Sequence, residues 1–462
     1  MQLVEKLMVA GLAAILAGCG KGFTPPTSSA PLPLPAQKQS ARVDPMKLVL
    51  MPQMGDARTD REIRRYQELI PKELKPETAL EKLGWLFIAK ARESFDPGYY
   101  KQAEACADVL AADRPGSAES LLLRGYVFEN LHRFKEAEPI ARELATRRGL
   151  PFDFGLLGDS LMEQGKLDEA VAAYQSMVNL RPDLESYSRV AHIRWLKGDA
   201  DGAMEAMQLA VSASSPRDPE ASAWVNTKFA GLQFMTGNND GAESSATAAL
   251  TIRPNYPPAL LLRGRMLLAQ DQPEAAVQKI QTATQANPLP EYQWALAEAL
   301  RASGRDDEAL TFESQLKISG EANDPRTLSL FLATRGEDVA KALRLAEAEL
   351  LQRQDIFTED AAAWAMSANG RIVEAQAHMA AALATGTEDA RLFFHAAVIS
   401  QKAGQTDLSQ QWFARAVAAI QALLPSERQQ LLDLAEKIST NDPSPILTAA
   451  KASSANQITV EK

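Results

Sequence analysis

The chain has 462 residues, is 46% hydrophobic and carries a formal net charge of −10. It can therefore bury a large core, while its acidic balance speaks against nucleic acid, whose phosphates demand a basic face. Ala, Leu, Glu, Gln and Arg dominate the middle of the chain and long Val/Ile/Thr alternations are missing, which predicts an all-α protein.

Residues 1–18 combine a leading Lys6 with an apolar run over 7–16. Ten residues are too few to span a bilayer, which takes roughly twenty, and suit the apolar region of a secretory signal. The run ends in Leu16-Ala17-Gly18-Cys19, which resembles the lipobox of bacterial lipoproteins. That resemblance implies cleavage before Cys19, diacylation of its thiol and a lipid-anchored protein of the bacterial cell envelope. Gly20, where Asp would retain such a protein, implies the outer membrane, facing the periplasm. More than one acyl chain makes such an anchor stable. Residues 19–42 carry Pro25, Pro26, Pro31, Pro33 and Pro35 and read as an extended tether. With Cys19 lipidated, Cys106 has no partner for a disulfide. It falls on an alanine-rich helical stretch and reads as a buried, inert thiol.

Residues 43–83 form a lead-in with a predicted helix over 60–69. From residue 84 to 418 a repeat takes over. Ala103, Ala137, Ala170, Ala203, Ala242, Ala276, Ala309, Ala342, Ala375 and Ser409 follow one another at steps of 34, 33, 33, 39, 34, 33, 33, 33 and 34. Twelve residues before each lies a small residue in every unit but one, where Leu330 stands. Five before lie Gly98, Gly165, Gly198, Gly237, Gly304, Gly370 and Gly404, with Gly336 one place early in the Ala342 unit; twelve after come Pro115, Pro182, Pro254 and Pro288. Small residues let two helices cross closely, glycine ends the first helix and proline stops the second. The step of 39 predicts a longer loop near 212–219.

This spacing resembles the tetratricopeptide repeat, a helix–turn–helix of about 34 residues. The best single unit runs from Phe154 to Pro182 through Gly158, Gly165, Ala170 and Tyr174. The resemblance implies a right-handed α-solenoid of about ten repeats. Residues 419–439 are expected to form a helix that caps its apolar end, and residues 440–462, polar and aperiodic, a disordered tail.

No catalytic constellation, metal motif or cofactor loop is legible. His132, His192, His378 and His395 match no zinc motif and read as helix-face residues; no phosphate loop or nucleophile elbow occurs. The acids Asp306, Asp307 and Glu308 read as partners of a helix N-terminus.

In such solenoids the first helices line the concave side. The residues beside the small-residue column put Tyr126, His192, Trp195, Trp224, Trp294, Phe331, Trp364 and Phe394 in that groove, with Arg265 and Arg301 among them. Trp and Arg are the side chains that anchor interfaces. The expected function is a membrane-anchored scaffold whose groove takes a peptide or helix of a partner protein. An alternative is a regulator that recruits an envelope enzyme such as a peptidoglycan synthase or protease. A third class, sugar stacking on the aromatics, is also compatible with them. The competing structural reading is that these aromatics only thicken the core between repeats.

Overall fold

The computed structural model describes residues 44–438, which hold 23 α-helices and, among the described residues, no strand. Cys19 and the predicted leader, tether and tail lie outside the described residues. The lead-in forms α1 (Pro45–Val49), which packs on α4, and α2 (Arg58–Leu69), which packs on α3.

Ten antiparallel hairpins follow, each helix packed on its mate and then on the next pair. They are α3 (Glu77–Ser94) with α4 (Gly98–Asp113), α5 (Ala118–Asn130) with α6 (Phe134–Arg147), and α7 (Pro151–Met162) with α8 (Leu167–Leu180). Next come α9 (Leu184–Leu196) with α10 (Ala200–Ser212), α11 (Pro219–Met235) with α12 (Asn239–Ile252), and α13 (Pro257–Ala269) with α14 (Pro273–Ala286). The last four are α15 (Pro290–Ala302) with α16 (Asp306–Asn323), α17 (Pro325–Arg335) with α18 (Val339–Leu350), α19 (Ile356–Ala368) with α20 (Ile372–Leu383), and α21 (Ala390–Lys402) with α22 (Thr406–Ala418). A short 3-10 turn, Ile420–Ala422, leads to α23 (Pro425–Ile438). The chain is an all-α repeat solenoid. Because α3 starts at Glu77, its first turns lie ahead of residue 84.

The small-residue series is the packing seam. All ten members, Ala103 to Ser409, have 0% exposure, as expected where two helices cross at shortest range. A Cβ on Gly158 would stand 2.2 Å from the Tyr174 ring, and one on Gly264 the same distance from Ile280. The Leu330 exception resolves into a shift by one residue. Ser329 is fully buried and its Oγ donates to the Ala342 carbonyl at 2.8 Å, as Ser409 Oγ does to Ala397. Ser329 is therefore the small residue of that repeat, which also explains why Gly336 comes one place early.

Two details depart from the expected pattern. Gly98 opens α4 instead of ending α3, and the left-handed residue there is Phe95, with φ 57°. His132 is not on a helix face: it sits in the turn of its hairpin at φ 57°, the place other repeats give to glycine, and Asp271 does the same at φ 58°. The extra length at 212–219 is only partly loop. Asp218 accepts from Ala221 N, and Pro219 opens an α11 of 17 residues where most first helices have 13. Pro at the first helical position loses no hydrogen bond.

The solenoid returns on itself within the described residues. Gly165 and Gly198, in the turns of the third and fourth hairpins, lie against the links that precede α19 and α21. A Cβ on either would stand 2.6 Å from a carbonyl oxygen, that of Gln354 or of Gly386. Gln354 N donates to the Glu163 carbonyl at 3.1 Å, and Thr387 Oγ1 to the Leu196 carbonyl at 2.6 Å. Earlier in the chain, Arg253 donates to the Glu93 carbonyl at 2.7 Å, with Tyr256 packed on Phe95.

Candidate partner-binding surface

An α-helix presents one stripe to its mate, a second to the neighbouring hairpin and a third to the inner side of the solenoid. Counted from the small residue of each first helix, the inner stripe falls six, three and two residues before it and one after. A cavity of about 330 Å³ shows this directly. It is lined by Glu291, Phe357 and Arg391 from the first of these positions, Trp294, Arg326 and Asp360 from the second, Leu262, Ala295 and Thr327 from the third, and Gly231, Arg265 and Leu330 from the fourth. A second cavity, of about 540 Å³, is lined by Glu163, His192, Gln354 and Asp355. The two share Arg326 and Phe357 as wall residues, so they adjoin along the inside of the repeats.

Register and burial together separate the groove residues expected from sequence. Trp294 and Phe394 lie three before the small residue, and Trp195 and Arg301 lie four after it. The position four after faces the neighbouring hairpin or the helix's own mate; the position three before is an inner one, where Trp294 and Phe394 are nevertheless covered. Trp294 is 3% exposed, meets Phe331 edge to face at 5.8 Å and donates Nε1–H to Glu298 at 3.1 Å. Trp195 is buried and stacks on Phe357 and His192 at 5.9 and 6.1 Å. Arg301 grips Glu313 of α16 through Nε and Nη2 at 2.9 and 3.0 Å, which ties the two helices of one hairpin together. Phe331, counted from Ser329, falls two after the small residue and is buried. Trp364 occupies an inner position but is covered. It stacks on His395 at 4.1 Å, and its Nε1–H donates to Thr334 at 3.0 Å. For Trp195, Trp294, Phe331, Trp364 and Phe394 the structure therefore corrects the expectation of an open surface, because packing between repeats buries them.

Tyr126, His192, Trp224 and Arg265 keep partial exposure. Arg265 is already engaged, donating to the Ala422 carbonyl at 3.0 Å. Tyr126 meets Trp85 edge to face at 5.1 Å, and the Lys228 ammonium lies 5.8 Å from the Trp224 ring centre. Two further inner residues, Arg189 and Lys228, belong with them, each two before its small residue; a search for aromatic residues passes over both. Arg189 is held by Asp159 through Nε at 2.8 Å and Nη2 at 2.6 Å, and Asp159 also accepts from Tyr174 at 2.8 Å. Burial and the nearby Lys228 push His192 down to about 4, so it is neutral at pH 7. Crowding by protein likewise lowers the pKa of Lys228. The signal that finds these two residues is register, since neither is aromatic or conspicuous by itself.

Among the described residues no group of three or more His, Cys, Asp or Glu side chains is placed to hold a metal ion. Cys106 is free and buried, and burial raises its thiol pKa, which keeps it protonated. No helix among the described residues is long and apolar enough to cross a membrane.

No curated protein matches the sequence. Among solved structures the chain is similar to the crystal structure of yeast Tom70, with TM-score 0.36 and 13% identity over 87% of this chain and 95% of that one. It is also similar to two crystal structures of MamA, each at TM-score 0.30. One has 17% identity over 37% of this chain and 92% of that one. The other has 18% identity over 36% and 95%. The family model of the tetratricopeptide repeat matches residues 156–219 and 261–324. Those stretches fall on the hairpins from α7 to α10 and from α13 to α16, and the same pairing continues on either side. Over those two stretches the chain matches the tetratricopeptide repeat, a fold that suggests a scaffold for protein–protein interaction.

Proposed function

We propose that the chain is an adaptor of the bacterial envelope, held to the outer membrane by a lipidated Cys19, that grips a segment of a partner protein on the inner side of its repeats. The observation that carries this reading is the accessible strip formed by Tyr126, Arg189, His192, Trp224 and Lys228. Aromatic faces supply contact area at low entropic cost, and the exposed Lys228 ammonium favours a segment that carries acidic residues, while Arg189 is already paired with Asp159. His192 adds an uncharged hydrogen-bonding edge at neutral pH. The tether gives reach, so a partner is met away from the membrane surface.

Two measurements test the two halves of the proposal. Trp224→Ala combined with Lys228→Glu should weaken partner capture from native membranes at least ten-fold while leaving the circular dichroism unchanged. Undiminished capture would sink the strip as the contact surface. Cys19→Ser should release the protein into the soluble fraction, and its retention with membranes would remove lipidation from the account.

A further inference from the structure

The inner surface of the later repeats is already occupied by the protein's own C-terminal segment. A helix that only capped the last hairpin would need α21 and α22. Residues 420–438 do pack there, and Gln410 donates to the Ile438 carbonyl at 2.7 Å. Apart from Glu427, which pairs with Arg391 of α21, their remaining polar contacts to other elements point elsewhere. Gln421 donates to the Phe234 carbonyl of α11 at 3.3 Å, and Ala422 accepts from Arg265 of α13. Ser426 donates its N–H and its hydroxyl to Glu298 of α15 at 2.9 and 2.6 Å. Arg428 reaches the Leu268 carbonyl of α13 at 3.1 Å, and Gln430 the Thr334 carbonyl of α17 at 2.8 Å. Glu427, fully buried, takes Arg391 at 2.6 Å. Phe234, Leu268 and Thr334 all lie in the last turn of a first helix, where carbonyls lack partners within the helix. The segment thus supplies side-chain donors to a row of helix C-termini, as a bound ligand does.

Its fit is incomplete. The cavity of about 330 Å³ remains beneath Ala422 and Leu424. Arg428 Nη2 is buried with no hydrogen-bond partner, an unfavourable state for a guanidinium. A sequence that fills the cavity and pairs that group would bind better.

We propose that residues 420–438 are a built-in ligand of the inner surface formed by α11, α13, α15 and α17, displaced by an amphipathic helix of a partner that opens with leucines, a hydroxyl and a glutamate. This rests on the reading of the inner side as the partner surface, and places a second, gated section of it beyond the Tyr126–Lys228 strip. Competition of this kind makes apparent affinity depend on the fraction of chains with the segment released.

The test uses the full chain and a fluorescent peptide of residues 420–438 as probe. Ser426→Ala, Arg428→Ala and Gln430→Ala together remove contacts to the earlier repeats while leaving Leu431, Leu434 and Ile438 on the last hairpin. The triple variant should bind the peptide at least ten-fold more tightly than the wild-type chain, and adding Glu298→Ala should abolish the gain. Equal binding to both chains, or binding to neither, overturns the proposal. So does a triple variant that loses helicity well beyond one helix, since the segment is then a structural part of the core. Loss of partner capture in the Trp224/Lys228 variant bears on the strip alone, so the two proposals fail separately.

Discussion

At the scale of single residues, the solenoid buries ionisable groups whose surroundings oppose their charge. Glu129 is the clearest. One of its carboxylate oxygens is buried without a hydrogen-bond partner, and burial, with the Asp159 charge nearby, pushes its pKa from 4.5 up to about 8. A carboxyl raised in the folded state binds more protons there than in the unfolded chain, so stability is full below pH 4.5 and declines as pH rises towards 8. Glu129→Gln removes the charge and keeps the shape. It should leave stability at pH 5 nearly unchanged and raise it at pH 8 by about 1 kcal/mol or more, since each tenfold change in proton affinity is worth about 1.36 kcal/mol and solvent screens part of it. Urea melts at the two pH values measure this, and equal effects at both would place Glu129 outside the pH response. None of this is legible from the sequence, where Glu129 is one acid among 59 acidic residues.

At the scale of elements, most helices obey local rules. Asp199, Asp324, Asp338 and Asp355 each accept a backbone N–H at a helix start, and the acids at 306–308 open α16. One element does not. Pro139 sits exposed in the interior of α6, where it removes a backbone donor and crowds the preceding turn. The hairpin tolerates it because Phe134, Ala137, Ala141 and Leu144 hold the other face of α6 in the core. Pro139→Ala should therefore stabilise the chain by about 1–3 kcal/mol, seen as a higher denaturation midpoint at constant slope. An unchanged midpoint would mean that the helix has already relaxed around the proline. The aromatic residues show the opposite limit of local reasoning. Trp294 and Tyr126 both fall on inner positions of a first helix, yet packing covers Trp294 down to a cavity wall and leaves Tyr126 partly exposed.

At the scale of the whole molecule, a repeat array tends to unfold piecewise, because each unit touches only its neighbours. Among the described residues this solenoid adds contacts between distant units. The third and fourth hairpins meet the links before α19 and α21 through Gly165, Gly198, Gln354 and Thr387, about 190 residues apart in sequence. Arg353 reinforces the junction, lying 3.7 Å from Glu163 and 3.0 Å from Glu349. Such contacts couple repeats that would otherwise melt alone. Wild-type unfolding followed by circular dichroism and by tryptophan fluorescence should trace one transition. Gly165→Ala with Gly198→Ala, which puts a methyl group against two carbonyl oxygens at positive φ, should split it into two. A single coincident transition in the double variant would show that the junction contributes nothing to cooperativity.

The sequence alone determined the repeat: small residues returning at near-constant steps admit close helix crossing, and that requirement is local enough to be read from spacing. It also placed most of the turns, the proline stops and the buried Cys106, while the turns at Phe95 and His132 escaped it. What only the tertiary structure decided is which side chains stay accessible. That depends on how far the solenoid turns before it meets itself, and on a C-terminal segment reaching over four earlier repeats. Both are sums of small rotations between hairpins, and no stretch of about 34 residues contains them. Aromatic content could therefore nominate a surface, while packing between repeats and closure determined that Trp294, Phe331 and Trp364 are buried and that Tyr126, Arg189, His192, Trp224 and Lys228 remain accessible.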